Sequence, residues 1–304
     1  MPETPLKIGL IGGTGLADAL TAEQAGHETE TVYPDTPFGK PSAPIIQTRW
    51  AGVDIAILQR HGEGHVFSPS SVPYRANLFA LKALGCTHVL ASGATGSLRE
   101  EIQPGHLVIV DQLLDKTHRR ESTFYSPECG AAVHVELSEP CCPVMRTWLI
   151  ESARAAEHDL HVHDGGTYVC MEGPAFSTKA ESEMHRGWGG DLIGMTALPE
   201  AKLAREAELP YALIALPTDY DCWRPHDPSK PQQQLLEEII GNLKQASANA
   251  VGLIQQALKN TAALTEQTCL GRDALQLAIW TDKTRIPAEQ VQRLKPLWGR
   301  YFER

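Results

Sequence analysis

The strongest constraint on how this chain can fold is a series of short, almost entirely apolar runs separated by helical patterns. LKIGLI (6–11), VDIAIL (53–58), THVLAS (87–92), HLVIV (106–110), GGTYVCM (165–171), DLIGM (191–195) and YALIALPTDY (211–220) each read as a strand. A strand that is apolar at nearly every position has no face to offer water, so both faces must be covered, and a sheet between layers of helices does this. The intervening segments supply the helices. RANLFALKALG (75–85) sets Leu78, Phe79, Leu81 and Leu84 on one side and stops at Gly85. Segments 142–158, 177–188 and 198–209 also read as helical, and a long amphipathic helix spans about 233–258, with Leu235, Leu236, Ile239, Ile240 and Leu243 at helical spacing. The expected fold is α/β: a single domain over 1–260 with a central twisted mixed sheet flanked by helices. A C-terminal helical extension over 261–304 packs on that domain or on a subunit interface, and AALTEQTCLGRDALQLAIW (262–280) within it reads as a helix.

Composition narrows the function. A net charge of -10 over 304 residues argues against a general nucleic-acid or anionic-membrane partner. It leaves room for a small anionic substrate held by a local cationic cluster. The N-terminal MPETPLKIGLIGG lacks the basic-then-apolar pattern of a signal peptide, and no run approaches the roughly 18 apolar residues of a membrane span. Seven cysteines without Cys-x-x-Cys spacing suit a reducing cytoplasm and give no zinc-ribbon signal.

Ligands of open α/β sheets bind beyond the carboxyl ends of the strands, so those ends are where site residues are expected. GGTG (12–15) follows the first strand and offers backbone N–H groups and the Thr14 hydroxyl to a phosphate; a plain tight turn is the alternative. It is not G-x-G-x-x-G, which argues against a dinucleotide. RHGEGH (60–65) admits three readings. As a zinc motif it needs a helix, which Gly62 and Gly64 each disfavour by roughly 1 kcal/mol, and its glutamate stands two places after His61 rather than one. As an oxyanion loop it opens with Arg60, whose fork of donors suits phosphate. As a surface turn it needs no ligand. SGATGS (92–97) and GMT (194–196) read as further strand ends with glycines and hydroxyls, and convergence of the four would make a small oxyanion pocket.

PTDYDCW (217–223) carries Asp219 and Asp221 two apart, on one side of an extended segment. Two facing carboxylates repel, and one protonated beside one ionised would match the Hoogsteen edge of adenine. An acidic loop that caps a helix is the structural alternative. EGPAF (172–176) supplies Phe176, a stacking partner for a base or simply a core residue.

These segments, together with YRANLFALKALGCTH, GSLREEIQPG, EGPAFSTKAES and GMTALPEAKLAREA, resemble the trimeric purine nucleoside phosphorylase family, and within it the 5′-methylthioadenosine phosphorylases, over roughly residues 6–258. The resemblance implies a purine nucleoside phosphorylase-like fold and reversible phosphorolysis of methylthioadenosine to adenine and 5-methylthioribose-1-phosphate, a purine and methionine salvage step. It implies a phosphate site from Thr14, Arg60, His61, Gly93, Ala94 and Thr196. Met195 would lie against the ribose and Phe176 against the base. Asp219 and Asp221 would hold the purine, with Asp219 giving a proton to N7. Ser177 stands where 6-oxopurine relatives carry glutamate, and Asp219 where they carry asparagine, so a 6-aminopurine is expected. Leu235 and Leu236 match the apolar 5′ pocket, and His134 matches a residue lent by the neighbouring subunit of a homotrimer. Gln232 departs from the smaller apolar residue expected near the methylthio group, so either the PHDPSKPQQQ loop shifts or the 5′ preference loosens. No metal and no organic cofactor are expected, inorganic phosphate being a co-substrate. Glu63 and His65 receive no role. The competing functions are a 6-oxopurine nucleoside phosphorylase and a non-catalytic nucleoside-binding protein.

Overall fold

The computed structural model describes residues 5–13, 15–16, 19–20, 28–125, 127–156, 160–225 and 231–302. Thr14 and most of the 225–231 loop lie outside them.

The apolar runs form the middle of one large sheet. β1 (Lys7–Gly12) lies between β4 (Val53–Gln59) and β5 (His88–Ser97), parallel to both. β11 (Tyr211–Asp219) continues the sheet parallel to β5 on one branch, with β6 (Leu107–Ile109) beyond it. β10 (Leu192–Gly194) leads from the far end of β5 to β9 (Thr167–Met171) and β7 (Gln112–Lys116) on the other. β2 (Thr29–Val32) and β3 (Ile45–Trp50) extend the β4 edge, and β8 (Val162–Asp164) extends β6. Parallel and antiparallel pairings coexist, as a mixed sheet requires.

The central strands feed two cores. In β4, Ala56 and Leu58 face one core while Ile55 and Ile57 face the other; in β11, Leu213 and Ala215 oppose Ala212, Ile214 and Leu216. This is the period of two expected of strands covered on both faces. Helices α1 (Tyr74–Ala83) and α4 (Ala197–Glu206) cover the first face. Helices α2 (Pro143–Arg154) and α5 (Gln232–Leu258) cover the second. Helix α3 (Lys179–Gly187) opens on a reciprocal cap in which the Thr178 hydroxyl takes the Glu181 N–H and the Glu181 carboxylate takes the Thr178 N–H. No helix among the described residues is long and apolar enough to cross a membrane.

Three expectations are corrected. SGATGS is not a turn after a strand: β5 runs through it to Ser97, because β11 pairs along one side as far as Gly96 and β10 takes up Ser97 and Gly96 at the end. The segment 262–280 is helical only over α6 (Ala262–Glu266); beyond it the chain turns repeatedly through Gly271 (φ +101°) to seat Cys269, Leu275 and Ala278 in the two cores. Four strands had no sequence signal strong enough to be expected: β2, β3, β7 and β8. They lie at or toward the margins of the sheet, where TETV and QLLDK carry mixed burial. Two short helices, α7 (Ala288–Arg293) and α8 (Lys295–Trp298), end the described chain, and Trp298 is fully buried in the first core.

Candidate active site

Arg60 follows β4 and is wholly buried. Its N–H groups are committed in a fixed pattern: Nε and Nη2 donate to the two oxygens of Glu200 on α4 (2.7 and 2.9 Å), and Nη1 donates to the Ser92 carbonyl on β5 (2.6 Å). The Tyr211 hydroxyl also donates to Glu200 (2.9 Å). Despite the burial that opposes it, the Glu200 charge holds the guanidinium pKa above its ordinary value, so Arg60 is a permanent cation with one orientation. A Cβ at Gly13, just after β1, would lie 2.8 Å from both Nη1 and the Ser92 carbonyl, so glycine is required there. A Cβ at Gly93 would lie 3.5 Å from the Thr196 Oγ1 and 3.8 Å from Arg60 Nη1. The bare backbones of Gly13 and Gly93, the Arg60 Nη1 and the Thr196 hydroxyl thus meet at one spot. Thr196 precedes α4, and its side chain caps no helix amide. On β5 the buried hydroxyls of Ser92 and Thr95 have no hydrogen-bond partner among the described residues. Orphaned buried hydroxyls cost about 1–3 kcal/mol each unless something else satisfies them.

His61 is buried, with Nδ1 2.8 Å from the Phe67 carbonyl. A carbonyl only accepts, so Nδ1 carries the proton and Nε2 is left as an acceptor. Burial, and then the Arg60 charge, push its pKa down to about 4. A neutral imidazole with a bare Nε2 suits a protonated phosphate oxygen. His65 stacks on the His61 ring (centroids 4.2 Å apart, 18° between planes), while its own surface and that of Glu63 are exposed. Gly62 (φ +73°) could carry no Cβ, because the Ser42 carbonyl lies 2.9 Å from where it would stand. The loop is shaped by these contacts, with His65 as the lid of His61.

The carboxylates lie three residues further along β5, by Gly96. Asp219 closes β11; its Oδ2 accepts from the Thr218 hydroxyl and its Oδ1 from the Asp221 N–H, both at 2.8 Å. Here the spacing argument fails. β11 stops at Asp219 and Asp221 begins a tight turn at φ +48°, so the two residues do not share one face of a strand. The Asp221 carboxylate accepts from Ser182 of α3 at 2.5 Å. What they share is Gly96: a Cβ there would meet Asp221 Cβ at 3.1 Å and Asp219 Oδ1 at 3.3 Å.

The other expected residues fall around this frame. Ala94 lies on β5 between Gly93 and Gly96. The Met195 sulfur packs on Gly173, where a Cβ would stand 2.5 Å away. Ser177 touches the Met171 sulfur (3.6 Å), and its carbonyl accepts from the Cys222 thiol (3.2 Å). Phe176 is not core: the residue is 85% exposed. Gln232 is the first residue of α5, Leu235 is half-buried and Leu236 exposed. His134 is not brought into this group; its ring packs edge-on against Trp280 (4.8 Å) and its N–H donates to the Ala278 carbonyl.

Sequence reading missed Glu200, and it missed a second buried arginine. Arg120, on a loop, donates through Nη1 to the carbonyls of Met195 (2.5 Å) and Leu198 (2.7 Å) and through Nη2 to that of Glu172 (2.6 Å). Its Nε reaches the Glu172 carboxylate at 3.3 Å. Against the desolvation that would raise it, the Ser70 hydroxyl, the His118 amide and Arg120 hold the Glu172 carboxyl down at about 2. Arg120 thereby ties the Met195–Thr196 turn to the EGPAF turn. No local motif marks it; EGP was legible, its partner 52 residues away was not.

The sequence profile of the Phosphorylase superfamily matches residues 7–259. The chain is 44% identical to an S-methyl-5'-thioadenosine phosphorylase of Synechocystis sp. over 97% of its own length and 87% of the relative's. It is 42% identical to one of Xenopus tropicalis over 91% and 98%. Among solved structures, a methylthioadenosine phosphorylase sourced from an antarctic soil metagenomic library superposes with a TM-score of 0.87 at 41% identity, covering 97% of this chain and 99% of that one. A methylthioadenosine phosphorylase from Schistosoma mansoni in complex with adenine gives 0.79 at 34% identity, covering 90% and 99%. With identities of this order across nearly the whole of both chains, the chain belongs to the phosphorylase superfamily, in its S-methyl-5'-thioadenosine phosphorylase group.

Proposed function

We infer that this chain catalyses the reversible phosphorolysis of S-methyl-5′-thioadenosine to adenine and 5-methylthioribose-1-phosphate. The observation that carries this reading is the layout along β5. Arg60, Thr196, Gly13 and Gly93 gather at one point, and Asp219 stands beside Gly96, three residues on. Three strand residues span about 10 Å. That separation fits an oxyanion at one end, a purine at the other and a pentose between them.

In this reading phosphate sits on Arg60 Nη1, the Thr196 hydroxyl and the backbone of Gly93 and Ala94, with neutral His61 accepting from its P–OH and Thr14 proposed as a further hydroxyl donor. One phosphate oxygen attacks the anomeric carbon as the bond from that carbon to N9 of the purine breaks. Positive charge on the sugar is stabilised by the phosphate anion against it. Asp219 gives its proton to N7, so adenine leaves neutral. Arg60 holds the nucleophile in place, which supplies much of the acceleration. Met195 lies under the ribose and Phe176 covers the base. Ser177 sets the preference for a 6-aminopurine. Leu235 and Leu236 line the 5′ end, and Gln232 is assigned to it. Asp221 positions the base end through Ser182. No metal and no organic cofactor enters these steps.

The exposed Phe176 ring and the His134–Trp280 pair outside the site of their own chain support an assembly in which a neighbour completes the 5′ pocket; we place His134 there, in a homotrimer. Seven free thiols, six of them buried, support a reducing, cytoplasmic setting. Residues 261–304 are proposed as an extension of the one domain.

Adenine release from methylthioadenosine with and without phosphate, alongside adenosine and methylthioinosine, tests the reading. Phosphate-dependent release, fastest with methylthioadenosine, is expected. Faster turnover of methylthioinosine would retain the oxyanion site and sink the assignment of Asp219 and Ser177 to a 6-aminopurine. Phosphate-independent binding without turnover would favour a nucleoside-binding protein.

A further inference from the structure

At the opposite edge of the sheet from Arg60 and Asp219 lies a second cavity of about 650 Å³. It sits below the amino ends of β1 and β5, reached by Pro5 and Leu6 before β1 and by Gly85 and Thr87 before β5. Its outer wall comes from the extension: Thr265, Arg272 and Asp273, and the stretch 295–300. The wall is held by one buried carboxylate. Glu208 accepts from the Leu275 N–H (3.0 Å) and the Tyr301 hydroxyl (2.5 Å) and pairs with Arg300 (2.8 Å). Glu208 is therefore spent on structure.

The charged side chains of the lining are uneven. Lys82, Arg272 and Arg300 face the space with Glu208 and Asp273. Arg300 uses a single nitrogen, Nη2, for Glu208, Asp273, the Arg272 carbonyl and the Tyr301 hydroxyl. Its Nε and Nη1 have no hydrogen-bond partner among the described residues. Arg272 makes no ion pair among the described residues; its Nη2 donates to the Leu264 carbonyl (3.1 Å) and the rest of its fork is uncommitted. Among the described residues Lys82 donates to the Glu208 carbonyl alone, at a long 3.4 Å. Burial lowers its pKa to about 8, the Glu208 charge resists and the Arg300 charge adds to the fall.

We propose that this cavity is a second ligand site, distinct from the catalytic one, that takes a small phosphorylated metabolite through Lys82, Arg272 and Arg300. Tetrahedral oxyanions match the two forks and the ammonium. The volume lies within the range of roughly 300–1,000 Å³ usual for small-molecule sites, far more than a bare phosphate fills. The excess room is bounded by apolar Leu6 and Leu297 and by exposed Asp273, which accepts from hydroxyl or amino groups. The ligand is thus a phosphoryl group on a compact polar body. Because both the body of the domain and the extension contribute cations, binding also clamps residues 261–304 in place.

Pyrophosphate is the probe, titrated calorimetrically into the whole chain in phosphate-free buffer. Wild type, Thr196→Val, Lys82→Met and Arg272→Gln are compared, with citrate as a second anion. Expected is pyrophosphate binding that Thr196→Val leaves unchanged and that Lys82→Met and Arg272→Gln each weaken about tenfold or more. Both cavity variants should keep methylthioadenosine turnover at the wild-type level, which also reports that they are folded. Loss of binding in Thr196→Val with retention in the other two would assign the anion to the catalytic site and overturn the proposal. So would no binding to wild type at about 10 mM, or tighter binding of citrate than of pyrophosphate. Crystals soaked in tungstate give an independent reading: a heavy-atom peak between Lys82 and Arg272 is expected, and a peak at Arg60 alone refutes the site.

Discussion

Replacing Asp219 by asparagine separates chemistry from architecture. Asp219 accepts two hydrogen bonds of 2.8 Å, from the Asp221 N–H and the Thr218 hydroxyl. An asparagine of the same shape keeps one carbonyl oxygen for the Asp221 N–H. It turns its NH2 toward the Thr218 oxygen, which can accept once that hydroxyl rotates. Both hydrogen bonds survive between neutral groups, so stability changes by about 1 kcal/mol at most. The catalytic loss is larger. An amide cannot surrender a proton to N7, and removing a positioned general acid costs about 10²–10⁴ in rate, or roughly 3–5 kcal/mol of transition-state stabilisation. The assay is kcat and kcat/KM for methylthioadenosine and for methylthioinosine, with a urea midpoint beside them. Expected are a near-native midpoint, a fall of at least about a hundredfold with the 6-aminopurine, and a ratio shifted toward the 6-oxopurine. A kcat within about threefold of wild type, or an unchanged ratio of the two substrates, would refute the role given to this carboxylate.

Glu200→Gln strips the countercharge from a fully buried guanidinium, and breaking such a pair costs about 3–5 kcal/mol; urea unfolding should show it, and a loss below about 1 kcal/mol would mean that Arg60 is solvated by something else. Gly13→Ala drives a Cβ to 2.8 Å from both Arg60 Nη1 and the Ser92 carbonyl, so the KM for phosphate should rise about tenfold or more while adenine affinity is kept; an unchanged phosphate KM contradicts the placement of the anion. Stability should fall on acidification. Burial, with the Arg60 and Arg272 charges adding, holds His61 and His88 at about 4, so both stay neutral in the fold while the unfolded chain takes up their protons near pH 6.5. Between about pH 6.5 and 4 each histidine therefore lowers stability by up to about 1.4 kcal/mol per pH unit. Glu206 acts in the opposite sense between about pH 7 and 4.5, because burial raises its carboxyl to about 7 and the fold then keeps a proton that the unfolded chain has lost. His88→Gln should flatten the acid limb of a stability–pH curve, and an identical limb would show that His88 is charged in the fold.

The sequence by itself determined whatever depends on neighbours along the chain. Apolar runs such as KIGLI and YALIAL can only be strands buried on both faces, and α1 could be bounded at Gly85 from its spacing alone. Arg60 after β4 and Thr196 before α4 were legible because strand ends are where an α/β sheet exposes chemistry. Tertiary structure decided the rest, for one physical reason: a buried polar group must find its partner in space, and that partner is rarely near in sequence. Arg60 is oriented by Glu200, 140 residues away, and the two unite in one ion pair what the sequence presents as two unrelated motifs. Glycines of SGATGS lie inside a strand because β10 and β11 claim its backbone on both sides. Asp221 turns to Ser182 because the chain leaves the sheet at Asp219, a point set by where its partner strand ends rather than by the residues of TDYD. Marginal strands such as TETV need too little apolar surface to show a period. The extension, weakly patterned as sequence, is ordered by contacts with distant groups, above all Glu208 and the pocket into which Trp298 is buried.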